Sequence, residues 1–333
     1  MYTDFTGIRI NGQILDPTPP RGNVRGGMPG GKVVYVRSIG ANGDSTGYGD
    51  GSRPDLPCST LCGTSGGLAQ LGGRTNRGDV IICLPGHTES LATADSASLT
   101  GAASYFSVIG LGNGTNQATF NWTAAASTWL LDTAGVELAN LRLNLAVTAA
   151  TVVVTPITVS AANCRIVNCY INWGVSTTIG CGSTLGAIAV TTAGDYFEFI
   201  GNFCNNLDVA GTTGQAITLL SLNGADYAKI NFNKIFGATT ATTVGPIHFL
   251  TTLSSDVEIV GNYIENLIAS STIAISSAIA GVTGFIGYNM LRVNSGIQPI
   301  TVSSNVSCTL YQNYCSNTVN KNGALVVGAG TSA

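Results

Sequence analysis

Charge is scarce in this chain. Charged residues make up 9 % of its 333, with 14 Lys and Arg against 17 Asp and Glu and a net charge of −3. That balance gives no support for nucleic-acid binding, and none is expected. A surface this poor in charge is expected to be covered in part by other protein chains. There are only two histidines, His87 and His248, and neither has a Cys, Asp or second His at ligand spacing. Both are expected to face solvent in structural roles, and no metal or cofactor is expected. No apolar run approaches the roughly 18 residues of a membrane span, so no membrane contact is expected. Met1-Tyr2-Thr3-Asp4 opens without a basic or apolar stretch, so no signal peptide is expected. There is no P-loop, no GxSxG and no zinc signature. The three tryptophans, Trp122, Trp129 and Trp173, do not align as a sugar-binding platform. The nine cysteines are an odd number without a pairing pattern, and Cys58-x-x-x-Cys62 has no matching ligand pair. They read as free thiols of a chain made in a reducing cytosol.

Glycine is abundant, at 43 residues, and apolar residues reach 44 %. Their arrangement is periodic. Val257-Glu258-Ile259-Val260-Gly261-Asn262-Tyr263-Ile264 recurs as Phe197-Glu198-Phe199-Ile200-Gly201-Asn202-Phe203-Cys204 and as Ala228-Lys229-Ile230-Asn231-Phe232-Asn233-Lys234-Ile235. Looser copies surround Asn289 and Asn313, and earlier ones begin at Glu137 and Arg165. Asn202, Asn233, Asn262, Asn289 and Asn313 align at spacings of 31, 29, 27 and 24. A period of this size marks a repeat architecture. A second ladder reads Ile157-Thr158-Val159, Ile188-Ala189-Val190, Ile217-Thr218-Leu219, Ile247-His248-Phe249 and Ile273-Ala274-Ile275. Each copy is apolar, small or polar, then apolar, the alternation of a half-buried strand. The segments are too β-branched and too broken by Gly and Asn for a helical solenoid. The expected fold is all-β: a single-stranded, right-handed parallel β-helix of about nine coils, running to Leu325-Val326-Val327.

Three regions follow. Residues 1–31 lie outside the repeat and read as an extended N-terminal arm. It carries Tyr2, Phe5, Ile8, Ile10, Ile14 and Leu15, with a hairpin turn at Asn11-Gly12, stiff prolines at 17, 19 and 20, and a glycine hinge beyond. Residues 32–78 read as an opening strand, a polar loop and an N-terminal cap, with a weak helix over 59–72 closing the first coil. Residues 79–333 read as the parallel β-helix.

The order Tyr35-Val36-Arg37-Ser38, Asn42-Gly43-Asp44 and Gly78-Asp79-Val80-Ile81-Ile82-Cys83-Leu84-Pro85-Gly86-His87 resembles the start of pectin-lyase-like right-handed β-helix proteins. The later coils are similar to theirs too, so the resemblance covers residues 33–330. It implies the fold and leaves the activity open, because that superfamily mixes lyases, hydrolases and inert structural chains. With its short arm and Thr/Ala-rich coils, the chain also resembles β-helix proteins of tailed-bacteriophage particles.

Carboxylates test for an enzyme. Taken coil by coil, one outward position reads Glu137, Arg165, Glu198, Lys229, Glu258. The signs alternate, and parallel strands stack about 4.8 Å apart, so each acid faces a base in a structural ladder. Lys229 occupies the space between Glu198 and Glu258 that a glycosidase pair would leave for water and substrate. Asp195, Asp226 and Asp256 form a second acidic column at a coil corner, where Asp bonds its own backbone; a bound cation or a catalytic pair is the lesser alternative. The asparagine column reads as an internal amide ladder that stabilises the fold. No catalytic residue is expected. The resemblance implies a non-enzymatic virion structural protein, a capsid decoration or cement protein, made in the host bacterial cytoplasm. Its expected partners are a major capsid or other virion protein, two further copies of itself in a homotrimer, and a host glycan. The alternatives are a receptor-binding tail fibre or tailspike, then a polysaccharide lyase or glycoside hydrolase.

Overall fold

The computed structural model describes residues 8–10, 13–15, 31–38, 49–63, 65–72, 78–92, 99, 104–147, 152–153, 155–173, 180–181, 186–205, 218–237, 244–266, 273–294, 299–301, 308–316 and 324–325. They form a parallel β-solenoid with three long sheets. The first sheet stacks Val33–Val36, Val80–Cys83, Ser107–Gly110, Glu137–Ala139, Arg165–Val167, Glu198–Ile200, Lys229–Asn231, Val257–Val260, Gly284–Gly287 and Cys308–Tyr311. The second runs Thr88–Leu91, Thr119–Trp122, Arg142–Leu145, Tyr170–Asn172, Phe203–Asn205, Lys234–Gly237, Tyr263–Asn266, Met290–Val293 and Tyr314–Ser316. The third, of seven strands, runs Trp129–Leu131, Ile157–Val159, Ile188–Val190, Leu220–Leu222, Ile247–Phe249, Ile275–Ser277 and Ile300–Thr301.

The solenoid has about 6 turns, slightly fewer than the nine coils expected, because the third sheet has seven strands where the first has ten. At the far end, Ala324–Leu325 pairs antiparallel with Tyr314–Ser316 and so is not a further parallel coil.

Inward residues stack coil on coil. Ile166, Phe199, Ile230, Ile259 and Ile286 are register partners in the first sheet, and all are fully buried. Ile171, Cys204 and Ile235 do the same in the second, with Cys204 a small apolar filler as its place in the repeat suggests. Complete burial of such side chains contributes roughly 1.5–3 kcal/mol each, and one coil alone has nothing to bury them against. The tryptophans fill the interior: Trp122 meets Trp129 and Trp173 edge to face at 5.1 and 5.9 Å. The cap helix is only Gly67–Leu71, five residues within the expected 59–72. Gly67 lets it lie against the first strand, because a Cβ there would meet Val36 at 2.6 Å. Leu68 and Leu71 are buried in the core at that end.

The third-sheet register differs from the sequence alignment in two coils. Ile188 pairs with Leu220 and not with Ile217; Ile247 pairs with Ile275 and not with Ile273. Leu220-Ser221-Leu222 carries the same apolar, small, apolar pattern as the triplet before it, and loop length absorbs the slip. Ile8–Ile10 and Gln13–Leu15 form the expected antiparallel hairpin as a sheet of their own, with Ile8 opposite Leu15 and Arg9 opposite Ile14. Tyr2, Phe5 and the Asn11-Gly12 turn lie outside the described residues.

Candidate functional site

A tight two-residue corner joins the first sheet to the second. Its first residue is left-handed in successive coils: Asn140, Asn168, Gly201, Phe232, Gly261, Tyr288 and Gln312, with φ between 46 and 68°. Its second residue, from the third of these corners onward, is the asparagine of the ladder. The Oδ1 atoms of Asn233, Asn262, Asn289 and Asn313 each accept the backbone N–H and the side-chain Nδ2–H of the preceding asparagine, at 2.9–3.1 Å. The other Nδ2–H of Asn202, Asn233, Asn262, Asn289 and Asn313 goes to the carbonyls of Ile166, Phe199, Ile230, Ile259 and Ile286. Cys169 takes the ladder position one coil earlier, and its N–H donates to Asn202 Oδ1 at 2.9 Å. All five asparagines are buried, and their hydrogen-bonding capacity is engaged in holding coil to coil.

The charged ladder has the register the sequence implies. Arg165 lies opposite Glu137 and Glu198, and Lys229 opposite Glu198 and Glu258. The ion pairs cover only part of it. Arg165 reaches Glu137 at 3.6 Å and Glu198 at 3.3 Å. Lys229 is exposed, and Glu258 instead accepts a short hydrogen bond from Asn231 Nδ2.

The aspartate column is two residues long, not three. Asp195 Oδ1 accepts the N–H of Asp226, and Asp226 Oδ1 accepts the N–H of Ser255. Ser255 therefore holds the third place, and Asp256 falls one residue on, at the left-handed position that Tyr196 and Tyr227 occupy in the coils before. A one-residue offset at the corner moves a carboxylate out of line. Among the described residues no group of three or more His, Cys, Asp or Glu is placed to hold a metal ion, and no helix is long and apolar enough to cross a membrane.

Both histidines are buried, contrary to the solvent-facing expectation. His87 sits against Phe120 and points Nε2 at Glu89 Oε2, 3.3 Å away. That carboxylate accepts the N–H groups of Leu61 and Cys62 at 2.6 and 3.3 Å, tying the cap to the first full coil. His248 is on the outward side of the third sheet, where the chain covers it. Its Nδ1 lies 2.7 Å from Ser276 Oγ, which also accepts the N–H of Gly245. Burial lowers the His248 pKa, partly opposed by the hydrogen bond at Ser276. The eight cysteines whose side chains are described are free thiols. Burial pushes Cys169 up to about 12 and Cys164 up to about 11.

Exposed aromatics were the feature that sequence reading missed. On the second sheet, Arg142, Tyr170, Phe203, Lys234, Tyr263, Met290 and Tyr314 are successive register partners facing outward. Tyr170 and Phe203 stack at 5.1 Å, and Lys234 lies 5.1–5.9 Å from the rings of Phe203, Phe236 and Tyr263. Beside them run amide pairs, Asn144 on Asn121 and Asn205 on Asn172. At the other corner of the first sheet, Tyr196 and Tyr227 stack at 4.8 Å. The signal was present in the repeat: Phe232 and Tyr288 fall where Gly201 and Gly261 stand in sister coils.

Comparison with known proteins finds no matching family model, no similar curated protein and no similar solved structure, so what stands of the resemblance is the parallel β-solenoid itself.

Proposed function

We propose that this chain is a non-enzymatic structural protein of a tailed-phage particle, a capsid decoration or cement protein whose solenoid stands as a shaft on its N-terminal arm. The observation that carries the non-enzymatic part is the use made of polar side chains. The buried asparagines bond coil to coil, and the carboxylates of Glu137 and Glu198 flank one arginine. Asp195 and Asp226 accept backbone N–H groups of the next coil. A hydrolase or lyase needs carboxylates free to exchange protons in a cleft, and these are engaged in the scaffold. The placement in a virion rests on the sequence resemblance together with the solenoid form. A hairpin that forms its own sheet, ahead of a glycine-rich segment, suits an anchor.

The test is to image particles carrying a labelled copy of this chain. Label spread over the capsid shell supports a decoration protein. Label confined to the tail tip would favour the receptor-binding fibre, and particles without label would remove the virion assignment. In parallel, bacterial polysaccharides are incubated with the chain and with Glu198→Gln and Glu258→Gln variants. Cleavage that these substitutions abolish would replace the structural reading with an enzymatic one.

A further inference from the structure

The outward column of the third sheet holds a single titratable side chain. It reads Leu130, Thr158, Ala189, Ser221, His248, Ser276, Thr301, in register from coil to coil. Ser221 and Ser276 flank His248 from the strands on either side, and neither titrates. His248 is 6 % exposed, and among the described residues no carboxylate and no second base faces it. A charge placed on this ring while it is covered has no partner, and burying an unpaired charge is costly.

The column is overlaid by the segments through which the chain enters the sheet. Two residues before their strands, Gly186 and Gly245 hold equivalent places, and each lies against the serine of the following coil. A Cβ on Gly186 would be 3.0 Å from Ser221 Oγ. Gly245 donates its N–H to Ser276 Oγ at 2.7 Å. The fit here is close: a Cβ on Gly245 would meet the Ala274 backbone at 2.6 Å, and one on Gly237 would run into Pro246. At Ser276 the hydroxyl is also shared with a base, since Oγ lies 2.7 Å from His248 Nδ1. A serine hydroxyl has one hydrogen. With a neutral imidazole that hydrogen goes to Nδ1, the oxygen accepts the Gly245 N–H, and the ring proton sits on Nε2; the network sets this tautomer. With an imidazolium both ring nitrogens are donors. Nδ1–H then turns on the same oxygen as the Gly245 N–H, and the hydroxyl hydrogen loses its acceptor.

We propose that His248 is an acid-sensitive latch: its protonation frees residues 244–246 from the third sheet while the coils on either side stay stacked. Opening lets water reach the charged ring and releases Ser276 from two competing donors. Burial lowers the His248 pKa below its ordinary 6.5, so the open segment takes up the proton more readily than the closed one. The latch is therefore closed above that value and opens as pH falls toward the folded one. The asparagine ladder and the apolar inward columns do not titrate between about pH 7.5 and about pH 5, so the opening stays local. The inference stands apart from the virion assignment, because the latch works in purified protein whatever particle it belongs to.

Hydrogen exchange of the full chain tests it, read by mass spectrometry at about pH 7.5 and about pH 5 and corrected for intrinsic rates. Corrected exchange in a peptide covering residues 244–249 should rise about tenfold in acid, while a peptide covering residues 157–159 should not change. His248→Ser should abolish the rise, serine being the residue that both neighbouring coils carry at this position. His248→Gln, which fills more of the space of the ring without titrating, is the second arm should serine loosen the segment at both pH values. Equal corrected exchange at the two pH values in the parent chain overturns the proposal. So does a rise that survives in both variants, or one shared by residues 157–159, which would be opening of the whole stack.

Discussion

Asn233 accepts two hydrogen bonds from Asn202 on one oxygen atom. The backbone N–H and the Nδ2–H of Asn202 both end on Asn233 Oδ1, at 2.9 and 3.1 Å. Asn233 in turn donates its backbone N–H and Nδ2–H to Asn262 Oδ1. The link is repeated through Asn313 in a buried column, so each asparagine from Asn202 to Asn289 is both acceptor for one coil and donor to the next.

Asn233→Ala removes one such link from the middle of the column. It leaves the N–H and Nδ2–H of Asn202 and the carbonyl of Phe199 short of a partner in the interior. Leaving buried polar groups unsatisfied destabilises by about 1–3 kcal/mol each before relaxation, so a loss of roughly 2–4 kcal/mol is expected. Urea unfolding followed by circular dichroism measures it. Asn313→Ala, at the end of the column, should be milder. Equal and negligible losses at both positions would show that the ladder is not holding the coils.

Arg165 and Lys229 share a column but not a role. Arg165 bridges two glutamates, whereas Lys229 is exposed. Arg165→Met should destabilise by about 1–2 kcal/mol, because Glu137 and Glu198 then face each other across one coil without their cation. Lys229→Met should change stability by less than about 0.5 kcal/mol. Lys229→Glu adds like-charge neighbours and should lose about 1 kcal/mol, an effect that shrinks in high salt. Thermal melts of the three variants at two salt concentrations decide the order.

Burial holds the His248 imidazole below its ordinary 6.5. As pH falls through that value the unfolded chain takes up the proton first, so stability is full above it and declines as pH drops toward the folded value. His248→Ser matches the neighbouring Ser221 and Ser276 in the column and removes this titration. The melting temperature of the variant should fall less than that of the parent chain between about pH 7.5 and pH 5. Parallel pH profiles would contradict the assignment.

Cys83, Cys169 and Cys204 are fully buried or nearly so, and burial raises each thiol pKa. Native protein treated with iodoacetamide near pH 8 should leave these three unmodified while the urea-unfolded chain reacts at all of them, because the thiolate is the reactive form. Peptide mass analysis reads the result site by site.

Much of this was legible in the sequence, for a physical reason. Ladder residues repeat because every coil offers the same environment, so Asn202 to Asn313 and Glu137 to Glu258 align without gaps between corner and strand. Where loops vary in length the same logic fails. Ile217-Thr218-Leu219 and Leu220-Ser221-Leu222 are equally good strands, and only the register with Ile188 separates them. Ser255 and Asp256 differ by one residue, enough to take a carboxylate out of its column. Alternation reports which way a side chain points, not what lies beyond it. His248 does point outward, but the backbone N–H of Gly245 lies over the adjacent Ser276. The pair His87 and Glu89 was illegible because the cap segment they hold, Leu61 and Cys62, comes from outside the repeat.

The arm carries the functional claim. Deleting residues 1–27 removes the Ile8–Leu15 hairpin, which pairs with no strand of the solenoid among the described residues, and leaves the first stacked strand, Val33–Val36, in place. The truncated chain is mixed with undecorated capsids and sedimented, beside the full-length chain. The account predicts an unchanged β-rich circular dichroism spectrum for the truncated chain and no co-sedimentation, with full-length protein pelleting at full occupancy. Truncated protein that pellets as fully as the intact chain would contradict it and place the attachment on the faces of the solenoid.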